Sequence, residues 1–325
     1  MYEANAERAT TENNPTAETT VHFLEESEWT EARARHETRV EEMAGHHVRR
    51  RSEGRPDPVT DFLFEYYAFR ISHLKRFSPG VGTMLLGEAA CGFLDRDEFS
   101  AFETDRGQAV GLDPRAFPEH LEASTRWILD LLRRTQERPP MFGCSGLHEW
   151  AMVYRTEKPR HDWLPMRLSA DEIAAVVEEG PLACTHFDAF RFFTDEARPL
   201  NRLQPERADM PALEQSGCLH VNMDIYRWAA KRAPWIASEL VADAFEFALE
   251  IRRVDMQASP YDVSALGLEP IPIETDVGRR RYQEAQRSFH ERGLVLRARL
   301  IEAYQVLLDA VAERPHSIAI RRVLS

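Results

Sequence analysis

The sequence predicts an all-α or nearly all-α fold, a multi-helix globular domain with a Pro-interrupted, loop-rich central region. Three observations carry that expectation. Apolar residues recur at helical spacing in several long segments, start and stop signals frame those segments, and period-two alternation never exceeds a few residues. Of 325 residues, 43 % are hydrophobic and 10 % aromatic, enough to build a sizeable core and to exclude global disorder.

In chain order, residues 1–20 are polar and aperiodic, which predicts a disordered lead-in. The remainder, 21–325, reads as a single helical domain. A charged first helix is expected from about Ser27 to Arg51. Asp57 and Pro58 open a second, because Asp caps and Pro fits the first helical position; Phe62, Leu63, Tyr66, Phe69 and Leu74 supply its apolar face. Ser78-Pro79-Gly80 and Gly82 break the chain, and 80–118 shows only a weak pattern. A third helix over 119–137 buries Leu121, Trp127, Ile128, Leu131 and Leu132 until Pro139-Pro140. Ser169-Ala-Asp-Glu172 is a capping box before Ile173, Val176 and Val177, and Gly180-Pro181 ends that helix. A further helix spans Ser238 to Ala258. The last runs from about Val277 to Glu313, with Tyr282, Phe289, Leu296, Ala303 and Ala310 at seven-residue spacing for lengthwise packing.

Net charge bounds the partners. At −13, the chain lacks the cationic excess that drives non-specific nucleic-acid binding, although Arg49, Arg50, Arg51 and Arg55 form a local basic patch. No stretch approaches a membrane span, and Met1 to Thr20 carries no apolar signal core. Four cysteines in so long a chain do not make a disulfide framework, so a reducing, cytoplasmic compartment is expected.

Polar chemistry concentrates in 141–235. Three segments share a texture: Gly143-Cys-Ser-Gly-Leu-His148-Glu149, Cys184-Thr-His186-Phe-Asp188, and Gly217-Cys218-Leu-His220-Val-Asn-Met-Asp224. Each sets a Cys two to four residues before a His, with a carboxylate close behind. On a helix, His220 and Asp224 share a face, so one can orient the other or both can reach one ion. The expected metal ligands are His148, His186, His220 and Asp224, for iron, manganese or zinc. Participation of Cys144, Cys184 or Cys218 would favour zinc. As catalytic acid–base groups the candidates are His148, Glu149, Asp188 and Asp224. Tyr154, Arg155, Arg191 and Arg202 are candidate substrate contacts, since Arg pairs bidentately with anions and stacks on aromatics. Against these stand plainer readings, in which the histidines are hydrogen-bonded core residues, the cysteines small hydrophobes, and the arginines surface ion pairs.

The phrases Asp61-Phe-Leu-Phe-Glu-Tyr-Tyr67, Phe142 to Tyr154, Cys184 to Phe193, Gly217 to His220 and Ala258-Ser-Pro-Tyr-Asp262 give a family likeness over roughly residues 25–305. Together they resemble bacterial, largely actinobacterial, proteins labelled 3-methyladenine DNA glycosylase. The resemblance implies excision of a damaged purine, with aromatics gripping the extruded base and a carboxylate stabilising the sugar cation. The chain lacks the Gly-rich helix–hairpin–helix turn with its downstream Asp found in helical alkylation-repair glycosylases. No catalytic residue therefore carries over.

Walker, dinucleotide and GxSxG motifs are absent, which removes kinases, dehydrogenases and α/β-hydrolases. Three readings remain: base excision on DNA, a metal-dependent enzyme acting on a small anionic molecule, and a non-catalytic ligand-binding helical protein.

Overall fold

The computed structural model describes residues 21–314, apart from Pro56 and Arg160; the expected lead-in over 1–20 lies outside these residues. Helices dominate. Five of the longer helices stand close to where the sequence places them: α1 covers Glu26–Ser52, α4 Glu119–Glu137, α6 Ala170–Glu179, α10 Ser238–Ala258 and α11 Asp276–Ala312. The helix expected to open at Asp57 and Pro58 begins instead at Thr60, with Val59 at its cap. Ser169 and Glu172 close the expected capping box at α6. No helix among the described residues is long and apolar enough to cross a membrane.

Two expectations need correction. The weakly patterned stretch 80–118 contains three strands, β2 (Thr83–Leu86), β3 (Phe99–Thr104) and β4 (Gly107–Leu112), which join β1 (His22–Leu24) in one sheet ordered β1-β2-β4-β3. The β1–β2 pair is parallel and the others antiparallel. Strands of three to six residues are too short to register as alternation, and β4 carries two glycines. The fold is thus predominantly helical rather than all-α. The expected second helix is also two, α2 (Thr60–Tyr66) and α3 (Ile71–Lys75), separated by a turn where Ala68 takes φ 56°.

The sheet rests on its own apolar cluster. Trp29 of α1 is fully buried there beside Leu85, Phe93 and Phe99, and its indole donates to Leu86 O at 2.9 Å. Leu307 and Val311, near the end of α11, complete it. The larger cluster lies between α4, α9 (Leu219–Ala230), α10 and α11. Along α11 the buried stripe follows Tyr282, Phe289 and Leu296 at seven-residue steps and then drifts to Leu300, Tyr304 and Leu307. A straight helix turns slightly less than a strict heptad requires, falling about 20° short of two full turns every seven residues, so the stripe must shift over this length. On α4, Trp127 is 40 % exposed rather than buried.

Short helices carry the rest of the central region: α5 (Leu147–Ala151), α7 (Phe187–Phe190) and α8 (Met210–Leu213). Prolines interrupt this stretch so often that each segment ends within a turn or two.

Candidate metal centre and adjoining cavities

Seven buried side chains of metal-ligand type gather where α5, α7, α9 and α10 meet. They form two groups, within each of which the ligand atoms lie within 4.8 Å of one another: His148, Glu149, His220 and Asp255, then His186, Glu214 and Asp224. Local geometry explains the delivery. Ser145 (φ 47°) and Gly146 (φ 81°) turn the chain sharply into α5, which drives His148 and Glu149 inward. At Gly146 a Cβ would be strained by that φ and would press on the Tyr282 ring at 3.3 Å, so the turn requires glycine.

In the first group, fully buried Arg252 organises the acids. Its Nη1 donates to Glu149 Oε1 at 2.7 Å and to Asp255 Oδ2 at 2.5 Å, while the guanidinium lies 4.2 Å from the Phe62 ring centre. One oxygen of each carboxylate is thereby taken and the other is left for the group. His148 Nε2 donates to Asp255 Oδ1 at 2.7 Å, and its Nδ1 lies 3.4 Å from Cys144 Sγ. Burial alone would lower the His148 pKa, but Asp255 and then Cys144 raise it well above the ordinary value. Two cations then balance two carboxylates. His220 stands edge-on to His148, ring centres 4.6 Å apart. Burial and then the charge on His148 push its pKa well down, so it is neutral, and its ring makes no hydrogen bond among the described residues.

The second group differs in one decisive respect. The Ala189 amide is shared between the His186 carbonyl and His186 Nδ1, each at 3.2 Å, which favours a lone pair on Nδ1 and a proton on Nε2. That Nε2 donates to Asp224 Oδ2 at 3.3 Å and lies 3.8 Å from Glu214 Oε1. A metal-ligating histidine normally donates its other ring N–H, and here the Ala189 amide opposes that tautomer. Asp224 is further held by Tyr67 Oη at 2.7 Å and Arg227 Nη1 at 3.1 Å. Burial would raise its pKa, but His186, Arg227 and Tyr67 bring it down to about 2. Glu214 Oε1 has no hydrogen-bond partner among the described residues, and burial, opposed by His186, pushes the carboxyl up to about 7. The chemistry of this group suits a stored proton, whereas the first group suits a cation.

The first group forms a wall between two cavities. The larger, about 320 Å³, reaches His148 and His220 and is also lined by Arg202, Tyr282 and Gln286. The smaller, about 20 Å³, meets Glu149, His220 and Arg252 from the other side and has room for about one water.

The three sequence-predicted histidines therefore converge, His186 lying 5.4 Å ring to ring from His220. The expected metal set does not share one centre, because His148 and His220 fall in the first group, His186 and Asp224 in the second. His220 and Asp224, one helical turn apart on α9, serve different groups. Asp188 stands in neither; it is bound by Arg227 at 2.6 Å and Arg191 at 3.0 Å, which also occupies Arg191. Tyr154 and Arg155 both engage Glu178, at 2.6 and 2.7 Å, and neither lines these cavities. Of the four candidate substrate contacts, Arg202 lines the larger cavity. Cys144, Cys184 and Cys218 line it too, but no thiol joins either ligand group among the described residues. Burial pushes the Cys218 thiol up to about 12 and Cys184 well above its ordinary value, so both stay protonated and are poor ligands. In the basic patch, Arg51 pairs with Glu65 at 3.5 Å and Arg55 with Glu53.

Arg252 and Asp255 escape sequence reasoning aimed at 141–235. The signal was present: both continue the buried stripe of α10 after Ala248 and Ile251, where a solvated charge has no place. Comparison with family models, curated proteins and solved structures gives no match to this chain.

Proposed function

We propose that the chain is a metal-dependent enzyme acting by hydrolysis or oxidation on a small anionic molecule, with the metal at His148, His220, Glu149 and Asp255. One observation carries the reading: Arg252 fixes one oxygen of each carboxylate and leaves the other beside two imidazoles, at the wall of a cavity of about 320 Å³. Nitrogen and oxygen donors of this kind suit iron, manganese or zinc. His148 fits the role because its Nδ1–H can point at Cys144 Sγ once Nε2 gives up its proton, which is the outer contact a ligating histidine needs.

The residues divide the work. Arg252 holds the carboxylates in place. His220, neutral and facing both cavities, is free to ligate or to accept a proton. With a divalent ion in place of the His148 proton, the group carries a net positive charge, which attracts an anion. A bound ion would polarise that anion and activate water as a nucleophile. Arg202 supplies a second cation in the cavity lining.

Base excision, which the family likeness implies, draws less support here. It needs a carboxylate facing an open base pocket, while Asp188 and Asp224 are engaged by Arg227 and the pocket beside Asp188 has room for about one water. Elemental analysis of protein purified without chelator tests both readings. About one iron, manganese or zinc per chain is expected, lost in His220→Ala and Asp255→Asn and retained in Asp188→Asn. Metal-free protein that releases methylated purine from alkylated duplex DNA would overturn the proposal.

A further inference from the structure

Two residues that line the larger cavity carry polar groups that the fold leaves unused. Gln286, on α11, is only 2 % exposed, and its Nε2 donates to Gly217 O at 3.2 Å. That bond fixes the orientation of the amide, because a carbonyl can be met only by the NH₂ end. Gln286 Oε1 is then a buried acceptor with no hydrogen-bond partner among the described residues. Its neighbour Gln215 presents a contrast. Gln215 Oε1 accepts from Met141 N at 2.8 Å and from Gly217 N at 2.7 Å, and its Nε2 donates to Met141 O at 3.3 Å. Gln215 is therefore consumed by the fold, and Gln286 is not.

The second group is Arg202. It lines the same cavity, is exposed, and pairs with no carboxylate among the described residues. Four other arginines of the central region are held by carboxylates: Arg155 by Glu178, Arg167 by Glu274, Arg191 by Asp188, Arg227 by Asp188 and Asp224. An unsatisfied buried acceptor costs stability, and one on a residue that lines a cavity is placed to be completed by a ligand.

We propose that the cavity selects a small carboxylate- or phosphate-type anion that also carries an N–H or O–H donor, the anion meeting Arg202 and the donor meeting Gln286 Oε1. This rests on the reading above in taking the larger cavity as the substrate site. It narrows the substrate class. An amide or ureide of an amino acid qualifies, whereas a simple carboxylate or an ester does not. The discrimination is chemical, since a substrate without the donor buries Gln286 Oε1 unpaired.

A matched pair of probes tests it without a variant. Hippurate and O-benzoylglycolate share the ring and the carboxylate and differ by an amide N–H in place of an ester oxygen. Titration calorimetry on the wild-type chain should find hippurate bound roughly tenfold more tightly, the factor expected for one buried acceptor left unpaired. Gln286→Met should erase the ratio, with circular dichroism confirming the fold, and Arg202→Met should weaken both probes and keep the ratio. Equal binding of the two, a ratio that survives Gln286→Met, or failure of both to bind the wild-type chain overturns the inference. Metal content is measured on the same samples. Bound metal without a preference for hippurate overturns this inference alone, and a preference in protein that never takes up metal overturns the metal reading alone.

Discussion

Replacing Arg252 by Met should cost about 3–5 kcal/mol of stability, the range for removing one partner of a buried ion pair. Arg252 is fully buried and serves two carboxylates at 2.7 and 2.5 Å. Methionine keeps much of the volume and the apolar contact with Phe62 but returns no charge. Asp255 keeps His148 at 2.7 Å, so the orphan is Glu149, and the lower end of the range, about 3 kcal/mol, is expected. Burial already raises the Glu149 pKa against the pull of Arg252. Without the guanidinium it rises further. A carboxyl whose folded pKa exceeds its unfolded value keeps its full stability below the unfolded pKa and loses it as pH rises. The gap between wild type and variant should therefore widen from pH 5 to pH 8. Guanidinium denaturation in EDTA at both pH values measures it, and Glu149→Gln in the Arg252→Met background should recover part of the loss. A gap below about 1 kcal/mol, well under that range, or one that does not change with pH, would refute the assignment of Arg252 as counter-ion to Glu149.

Glu214→Gln should gain on the wild type as pH rises. The Glu214 carboxyl titrates near 7 in the fold, so the wild type sheds about 3 kcal/mol between pH 4 and pH 8 that the glutamine keeps; parallel denaturation curves at the two pH values check this. Tyr67→Phe removes a 2.7 Å hydrogen bond to the Asp224 carboxylate and should cost about 2 kcal/mol in the same assay. Gly293→Ala would bring a Cβ to 2.4 Å from Asn222 Oδ1, the atom that accepts from Arg297 at 2.6 Å. A lowered melting temperature is expected, and an unchanged one would mean that α9 and α11 pack more loosely than their contact implies.

Long helices were legible because period and punctuation agreed. Ser169 and Glu172 cap α6, and α10 and α11 begin and end within about a residue of their expected bounds. The sheet was not legible, because strands as short as His22–Leu24 acquire their meaning from partners sixty or more residues away. At the site, the Cys–His–acid texture located His148, His186 and His220, since three such clusters exceed the needs of packing. The partition into a cation group and a proton group was out of reach. It depends on one backbone amide, Ala189 N–H, and on Arg252 and Asp255 arriving from α10, contacts between residues that spacing does not connect. Nor could sequence separate Arg202 from Arg191, because what distinguishes them is the presence of Asp188 at 3.0 Å beside one and, among the described residues, no carboxylate paired with the other.

The 37-residue helix α11 touches nearly every part of this molecule in turn: Gln286 at the cavity, Gly293 and Arg297 at Asn222, Tyr304 at the Trp228 carbonyl, Leu307 under the sheet. Gln286 and Leu307 stand about 30 Å apart along its axis. Each residue added or deleted between them turns everything beyond it by about 100°, which would carry Tyr304, Leu307 and Val311 off their seats together. Length variation in related sequences should therefore collect in connections such as 260–272 and be absent from 286–307. A sequence alignment can be anchored on that ungapped block even where little else in it is shared.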